Sequence, residues 1–242
     1  MRGPGSFIEV TSQSAIDHVL RVNPKKIQRI SFANSPERLS PRQRTIAELA
    51  KTHHIQLDYG SRQDRMGDGL AAQLSLFVYT ELKPFLSAQK AKTKSVILVL
   101  DHLQDPQNFG ALTRTAEAFG VHAIVIPKDR SVQVTGGVYN ASVGAVESIP
   151  VVQVSNIAET LKRLKEAEYW IVGSALGENS KPLRATPTFE RVAIVLGTEL
   201  EGVSPHVLET CDWITQIPMI GKIDSLNVSA AGAILMYFFS NR

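Results

Sequence analysis

Residues 96–114 read VILVLDHLQDPQNFGALTR. The first five, Val96–Leu100, form an unbroken β-rich apolar run, which marks a strand covered on both faces rather than one with a wet side. A polar stretch follows, then a helical pattern from Gly110 to Phe119 and a second strand at Ala123–Ile126. The rhythm continues downstream, with strand-like runs at Trp170–Gly173, Val192–Leu196 and Trp213–Ile217 and helices between them, notably Ile157–Ala167. Strands alternating with helices predict an α/β fold: a mostly parallel sheet with helices on both faces.

Upstream, the chain reads as a separate small α/β unit. Ser14–Val22 has helical spacing through Ile16, Val19 and Leu20, and Pro41–Thr52 has it through Ile46, Leu49 and Ala50. Ile27–Ala33 and Ile55–Tyr59 read as strands, and Gly67–Gly69 interrupts the pattern before the apolar Leu74–Tyr79. Lys83–Ser95 (KPFLSAQKAKTKS) is polar, basic and contains proline, which is the composition of a linker. The expected organisation is an N-terminal domain over 7–82, a linker over 83–95 and a larger domain over 96–242. Met1–Ser6 (MRGPGS) lacks the apolar core of a cleavable signal and reads as an added leader outside the fold.

Composition narrows the function classes. With 43% hydrophobic and 20% charged residues, the chain falls among globular proteins with real cores. No apolar run approaches the roughly 18 residues of a membrane span; the longest, Ala230–Phe239, reads as a buried helix. Cys211 is the single cysteine, so no intrachain disulfide can form, and a reducing cytoplasm is the expected location. Charge is unevenly spread: residues 1–94 carry 15 Lys/Arg against 8 Asp/Glu, and residues 95–242 carry 11 against 15. A basic module on a mildly acidic remainder suits a polyanion-binding unit joined to a catalytic one, although ordinary surface charge gives the same count. His53 and His54 are adjacent, and His18, His102, His122 and His206 have no ligand spacing, so no metal is expected. The phosphate-cradling GxxxxGK[ST] is missing, as is GxGxxG after the first strand of the larger unit, which sets aside P-loop and dinucleotide-dehydrogenase readings.

In a parallel α/β sheet, ligands bind beyond the carboxyl ends of the strands. Three segments leave such ends. Asp101–Arg114 puts Asn108 near a helix start, Gly110 where backbone comes close, and Arg114 one turn in; taken alone, these residues fit a helix cap and a solvated arginine better than a site. Leu196–Ser204 (LGTELEGVS) flanks Glu199 and Glu201 with Gly197 and Gly202, which suits a cationic or hydroxyl-bearing ligand better than a phosphate. Ile217–Ser229 (IPMIGKIDSLNVS) crowds Ser225, Asn227 and Ser229 at the start of an otherwise apolar helix, as a lined site would.

Together these segments resemble the SPOUT superfamily, and within it the SpoU/TrmH-type RNA 2′-O-methyltransferases. The family's N-x-G-x-x-x-R-[TS]-A motif matches Asn108-Phe-Gly110-Ala-Leu-Thr-Arg114-Thr115-Ala116. Its L-G-x-E strand end matches Leu196-Gly197-Thr198-Glu199 with Gly202, and its I-P-M and S-L-N-V-S elements match Ile217-Pro218-Met219 and Ser225-Leu226-Asn227-Val228-Ser229. Asn140-Ala-Ser142-Val-Gly144-Ala145 resembles the small-residue segment between the first two motifs. The N-terminal part is similar to the RNA-binding domain of RlmB-like two-domain members, with Ala72-Gln73-Leu74 standing where that domain typically has H-Q-G.

The resemblance implies a deep trefoil knot, S-adenosylmethionine as methyl donor without a metal, and a homodimer with the active site at its interface. The implied cofactor contacts are Gly197, Thr198, Gly202, Ile217, Met219 and Leu226. The implied catalytic set is Arg114, which activates the ribose 2′-hydroxyl, with Asn108 and Asn227 orienting it, Glu199 holding the arginine and Ser225 adding a hydrogen bond. The implied substrate is RNA, with 23S ribosomal RNA favoured by the separate N-terminal domain and transfer RNA as the alternative. A silent RNA-binding protein of the same fold is the rival of a different class.

Overall fold

The computed structural model describes residues 7–61, 66–177, 179–198 and 201–240. They form two compact units, and the chain passes between them more than once. Met1–Val78 and Gln133–Ser148 make the first, and Tyr79–Val132 and Ile149–Arg242 the second.

The first unit carries β1 (Ile8–Val10), α1 (Gln13–Val22), β2 (Ile27–Phe32), α2 (Pro41–Thr52), β3 (Gln56–Tyr59) and β4 (Leu70–Leu74). Its sheet runs β1-β4-β2-β3, antiparallel except for the β2–β3 pair. Both helices start where their sequence says they should. Ser12 caps α1 by accepting from the Ala15 N–H, and Ser40 with Gln43 forms a reciprocal capping box on α2 with Pro41 in the first turn. The last strand lies earlier than the Leu74–Tyr79 run suggests. Its register against β2 pairs Leu70 with Phe32 and Ala72 with Ile30, which leaves Leu76 and Val78 exposed beyond its end.

The second unit contains α3 (Leu82–Gln89), β5 (Ser95–Leu100), α4 (Pro106–Ala118), β6 (Ala123–Pro127), β7 (Val151–Val154), α6 (Ile157–Glu166), β8 (Trp170–Ser174), β9 (Lys181–Pro182), β10 (Arg191–Leu196), α7 (Pro205–Leu208), β11 (Trp213–Gln216) and α8 (Val228–Ser240); α5 (Gly136–Ala141) belongs to the first unit. Its seven strands are all parallel, in the order β7-β6-β5-β10-β8-β11-β9. Every residue of β5 is buried, as its unbroken apolar run requires. Ile97, Val99, Ala193 and Val195 pack on one face with Phe85 of α3 and Leu161 and Leu164 of α6. On the other face Leu196 meets α8, where a Cβ added at Gly232 would stand 2.3 Å from Leu112 of α4 and 3.0 Å from Leu196. Helices therefore cover both faces.

Two boundaries differ from the expected division at 7–82, 83–95 and 96–242. The segment expected as a linker opens with α3, whose Phe85 is buried in the core of the larger sheet. Its polar, proline-containing composition hides a short amphipathic helix with Leu82, Phe85 and Leu86 at helical spacing. Residues 133–148, expected inside the larger domain, pack with the first unit instead. Small residues make that close packing feasible, since a Cβ at Gly136 would lie 1.9 Å from the Glu9 carbonyl oxygen. Asn140 then accepts from the Thr11 and Ser12 N–H groups at 3.1 and 3.0 Å.

Candidate active site

The loops that leave β8, β10 and β11, three neighbours in the sheet, together with the segment entering α8, enclose a cavity of about 480 Å³. That size lies within the roughly 300–1,000 Å³ typical of small-molecule and cofactor sites. Gly197, Thr198, Gly202, Ile217, Met219 and Leu226 all line it, and so does Ser225. Three segments distant in sequence meet here because parallel strands deliver all their carboxyl ends to one edge of the sheet.

The loop after β10 folds back on itself. Thr198 and Gly202 exchange backbone hydrogen bonds of 3.1 and 3.0 Å, and the Thr198 hydroxyl accepts from the Glu201 N–H at 3.1 Å. Gly202 takes φ +67°, and Gly197 runs so close to the returning strand that a Cβ there would sit 1.8 Å from the Gly202 carbonyl oxygen. The first position needs glycine for its conformation, the second for space. Glu201 and Asp224 also line the cavity, so it carries carboxylates beside an apolar wall of Ile217, Met219 and Leu226. Such a lining fits an amphipathic ligand bearing a positive charge.

The helix of the first motif is built differently from the expectation that Asn108 might serve as its cap. Asp105 is the N-cap, accepting from the Gln107 and Asn108 N–H groups at 3.0 and 3.3 Å, with Pro106 as the first helical residue. The Asn108 side chain is thereby left to bond elsewhere, and its Oδ1 accepts from Asn227 Nδ2 at 3.0 Å. Asn227 in turn caps α8, its Oδ1 accepting from the Ser229 N–H at 2.9 Å and from the Ser229 hydroxyl. Two candidate residues 119 positions apart thus form one link between two helix starts.

Arg114 is not among the cavity's lining residues. It is exposed, two residues beyond Leu112, which faces α8; that offset is about 200° around the helix. Glu199 lies outside the described residues. Among those described, no group of three or more His, Cys, Asp or Glu is placed to hold a metal ion, and no helix is long and apolar enough to cross a membrane. Cys211 packs against the core below β8, where burial pushes its thiol up to about 12.

Sequence reasoning missed part of the lining. Ser174 ends β8 and Ala175 and Leu176 follow it, and the rule that ligands sit at strand ends applied to that strand as much as to the other three. Glu201 was read only as one of two carboxylates suited to a cationic ligand, and Asp224 was within the quoted loops but carried no role. Asp101, the first residue after β5, was overlooked because an acidic residue opening a loop is ordinary in sequence.

Fold and site together define a parallel α/β protein with a small-ligand cleft assembled from loops. Residues 95–237 match the model of the SpoU rRNA Methylase family, and the chain belongs to that family of RNA methyltransferases. YacO of Bacillus subtilis (strain 168), described as a TrmH family tRNA/rRNA methyltransferase, is 37% identical over 235 residues, which is 94% of this chain and 93% of that protein. Among solved structures, the SpoU methyltransferase AviRb from Streptomyces viridochromogenes, in complex with AdoMet, aligns at TM-score 0.79 and 19% identity, covering 98% of this chain and 90% of its own. An RNA 2′-O ribose methyltransferase aligns at TM-score 0.74 and 23% identity, covering 96% and 87%. These two likenesses establish a shared fold.

Proposed function

We propose that the protein transfers a methyl group from S-adenosylmethionine to a ribose 2′-hydroxyl of RNA. The observation that carries this reading is the cavity itself. All six residues expected to contact the cofactor line one space of suitable volume, walled by apolar side chains and two carboxylates. S-adenosylmethionine, when bound, supplies a methyl group activated by a sulfonium charge, and Glu201 and Asp224 are of the right sign to accompany that charge. Ile217, Met219 and Leu226 would cover its apolar parts, with Gly197, Thr198 and Gly202 offering backbone groups to its polar edges.

Arg114 acts on the substrate side. Its guanidinium stays protonated, so its role is electrostatic: it lowers the cost of negative charge on the 2′-oxygen or binds the neighbouring phosphate. The Asn108–Asn227 link holds the start of the arginine's helix, and Ser225 and Glu199 complete the set. Because Arg114 is absent from the lining of its own chain's cavity, a homodimer in which it serves the partner's cavity is the arrangement we favour. The knotted topology of the family belongs to the same reading. The basic N-terminal unit would select the RNA, with 23S ribosomal RNA the preferred target and transfer RNA the alternative.

Arg114→Ala tests the assignment. Incorporation of tritiated methyl into RNA should be lost while calorimetric S-adenosylmethionine affinity stays within about twofold. Turnover near that of the unmutated protein would remove Arg114 from the mechanism. Mapping ribose methylation in RNA from a deletion strain identifies the target, and an unchanged map in both ribosomal and transfer RNA would overturn the reading.

A further inference from the structure

Asp101 follows the last residue of β5, and its whole side chain is inside the protein, with 2% of the residue exposed. It bonds to both ends of the loop that forms one wall of the cavity. Its backbone N–H donates to the carbonyl of Leu196, where the loop begins, at 2.7 Å. Its Oδ2 accepts from the N–H of Ser204, where the loop has ended and α7 begins, at 2.8 Å. Its Oδ1 pairs with Nδ1 of His102 at 2.7 Å, and His102 adopts φ +60°, a left-handed turn that keeps its ring beside its own neighbour. Between the two anchored ends lie Gly197, Thr198, Gly202 and Val203, all of which line the cavity.

We propose that Asp101 is a positioning residue for methyl transfer: one buried carboxylate that holds Gly202–Ser204, the exit end of the loop after β10, while its own backbone holds the entrance at Leu196. The physical case is one of leverage. The described part of the loop is clasped by the Thr198–Gly202 exchange and the Glu201 N–H bond to the Thr198 hydroxyl, and it runs at steric contact past Gly197. A shift of its exit end is therefore transmitted directly to the cavity wall. A hydrogen bond from an N–H to a buried carboxylate is among the stronger kinds. His102 supports the arrangement by occupying the second oxygen, which fixes the carboxylate plane. The residue touches neither the cavity nor Arg114, so its effect should fall on cofactor affinity rather than on the chemical step. This rests on the reading that S-adenosylmethionine occupies the cavity.

The test compares Asp101→Ala, Asp101→Asn and Ser204→Pro in the full chain. Ser204 has φ −60°, which proline adopts, so the third variant replaces the donated N–H by a ring methylene pressed against the Asp101 carboxylate and breaks the same link from its other end. Calorimetric dissociation constants for S-adenosylmethionine are read beside melting temperature and kcat at saturating cofactor. Asp101→Ala and Ser204→Pro should weaken binding at least tenfold with kcat within about threefold of the unmutated protein. Asp101→Asn should recover most of the affinity, because its amide oxygen can still accept from Ser204 while its nitrogen faces the His102 ring. A variant that is folded at the assay temperature and binds within twofold of the unmutated protein overturns the proposal, and Ser204→Pro carries the test if Asp101→Ala does not fold. Failure of the underlying reading looks different. Leu226→Trp, which fills the cavity, should abolish binding; if it does not, the cofactor sits elsewhere.

Discussion

Three glycines near the cavity differ in what a methyl group would meet, and their replacement by alanine should separate space from conformation. At Gly197 an added Cβ would lie 1.8 Å from the Gly202 carbonyl oxygen and 2.2 Å from the Val203 nitrogen. Both are backbone atoms, so no rotamer change can relieve the overlap and the two stretches must part. Parting breaks the two Thr198–Gly202 hydrogen bonds of 3.1 and 3.0 Å. At about 1 kcal/mol net for each, the cost is about 2 kcal/mol, or about 30-fold in a dissociation constant for any ligand that needs the loop closed. At Gly202 the added methyl meets nothing within 4 Å, but φ is +67°, so the cost is conformational. A left-handed alanine costs about 1–2 kcal/mol, or about 5- to 30-fold, and asparagine, which tolerates that region, should cost less. Gly221 has neither obstacle and serves as the control. Titration calorimetry with S-adenosylmethionine on the unmutated protein, the three alanine variants and the two asparagine variants reads the result directly. Asparagine should improve on alanine at 202 and not at 197. A folded Gly197→Ala that binds within twofold of the unmutated protein would refute the steric reasoning, and an effect at Gly221 as large as at Gly197 would refute the whole ordering.

Asn227→Ala removes the cap of α8 and should cost about 1 kcal/mol, lowering the melting temperature of a domain this size by about 2–4 °C. Asn227→Asp keeps the cap acceptor and should melt near the unmutated protein while losing the bond donated to Asn108 Oδ1; equal melting of all three would show that the cap contributes nothing. The Cys211 thiol, pushed up to about 12 by burial, should be about one part in 10,000 thiolate at pH 8. It should resist a disulfide reagent in the native protein and react fully in guanidinium. Rapid native labelling would contradict the burial.

Local patterns made much of this protein readable in advance. Apolar residues at helical spacing located both N-terminal helices, and the unbroken Val96–Leu100 run identified a strand buried on both sides, because each of these signals is carried by neighbouring residues. The resemblance singled out Gly197, Gly202, Ile217 and Leu226, which line one cavity, and the structure adds why two of them are glycines: a left-handed φ at Gly202 and a close backbone approach at Gly197. What could not be read locally was partnership across the chain. Lys83–Ser95 reads as linker because the apolar face of α3 is three residues wide and counts only against the sheet it covers. Nothing near residues 133–148 says that they pack against β1 and α1, since that depends on the Glu9 and Ala15 backbone lying where Gly136 and Gly144 leave room.

Periodicity alone thus determined the parallel α/β class, and motif resemblance the family and the loops that line the cavity, since each rests on short-range periodicity or on a motif of a few adjacent residues. Tertiary structure alone decided that β10 lies between β5 and β8, that Asn108 bonds Asn227, and that Asp101 grips Ser204 across 103 positions. Those pairings follow from which strand ends become neighbours in the sheet, a long-range outcome of burying its apolar strands together, and a linear pattern contains no term for it.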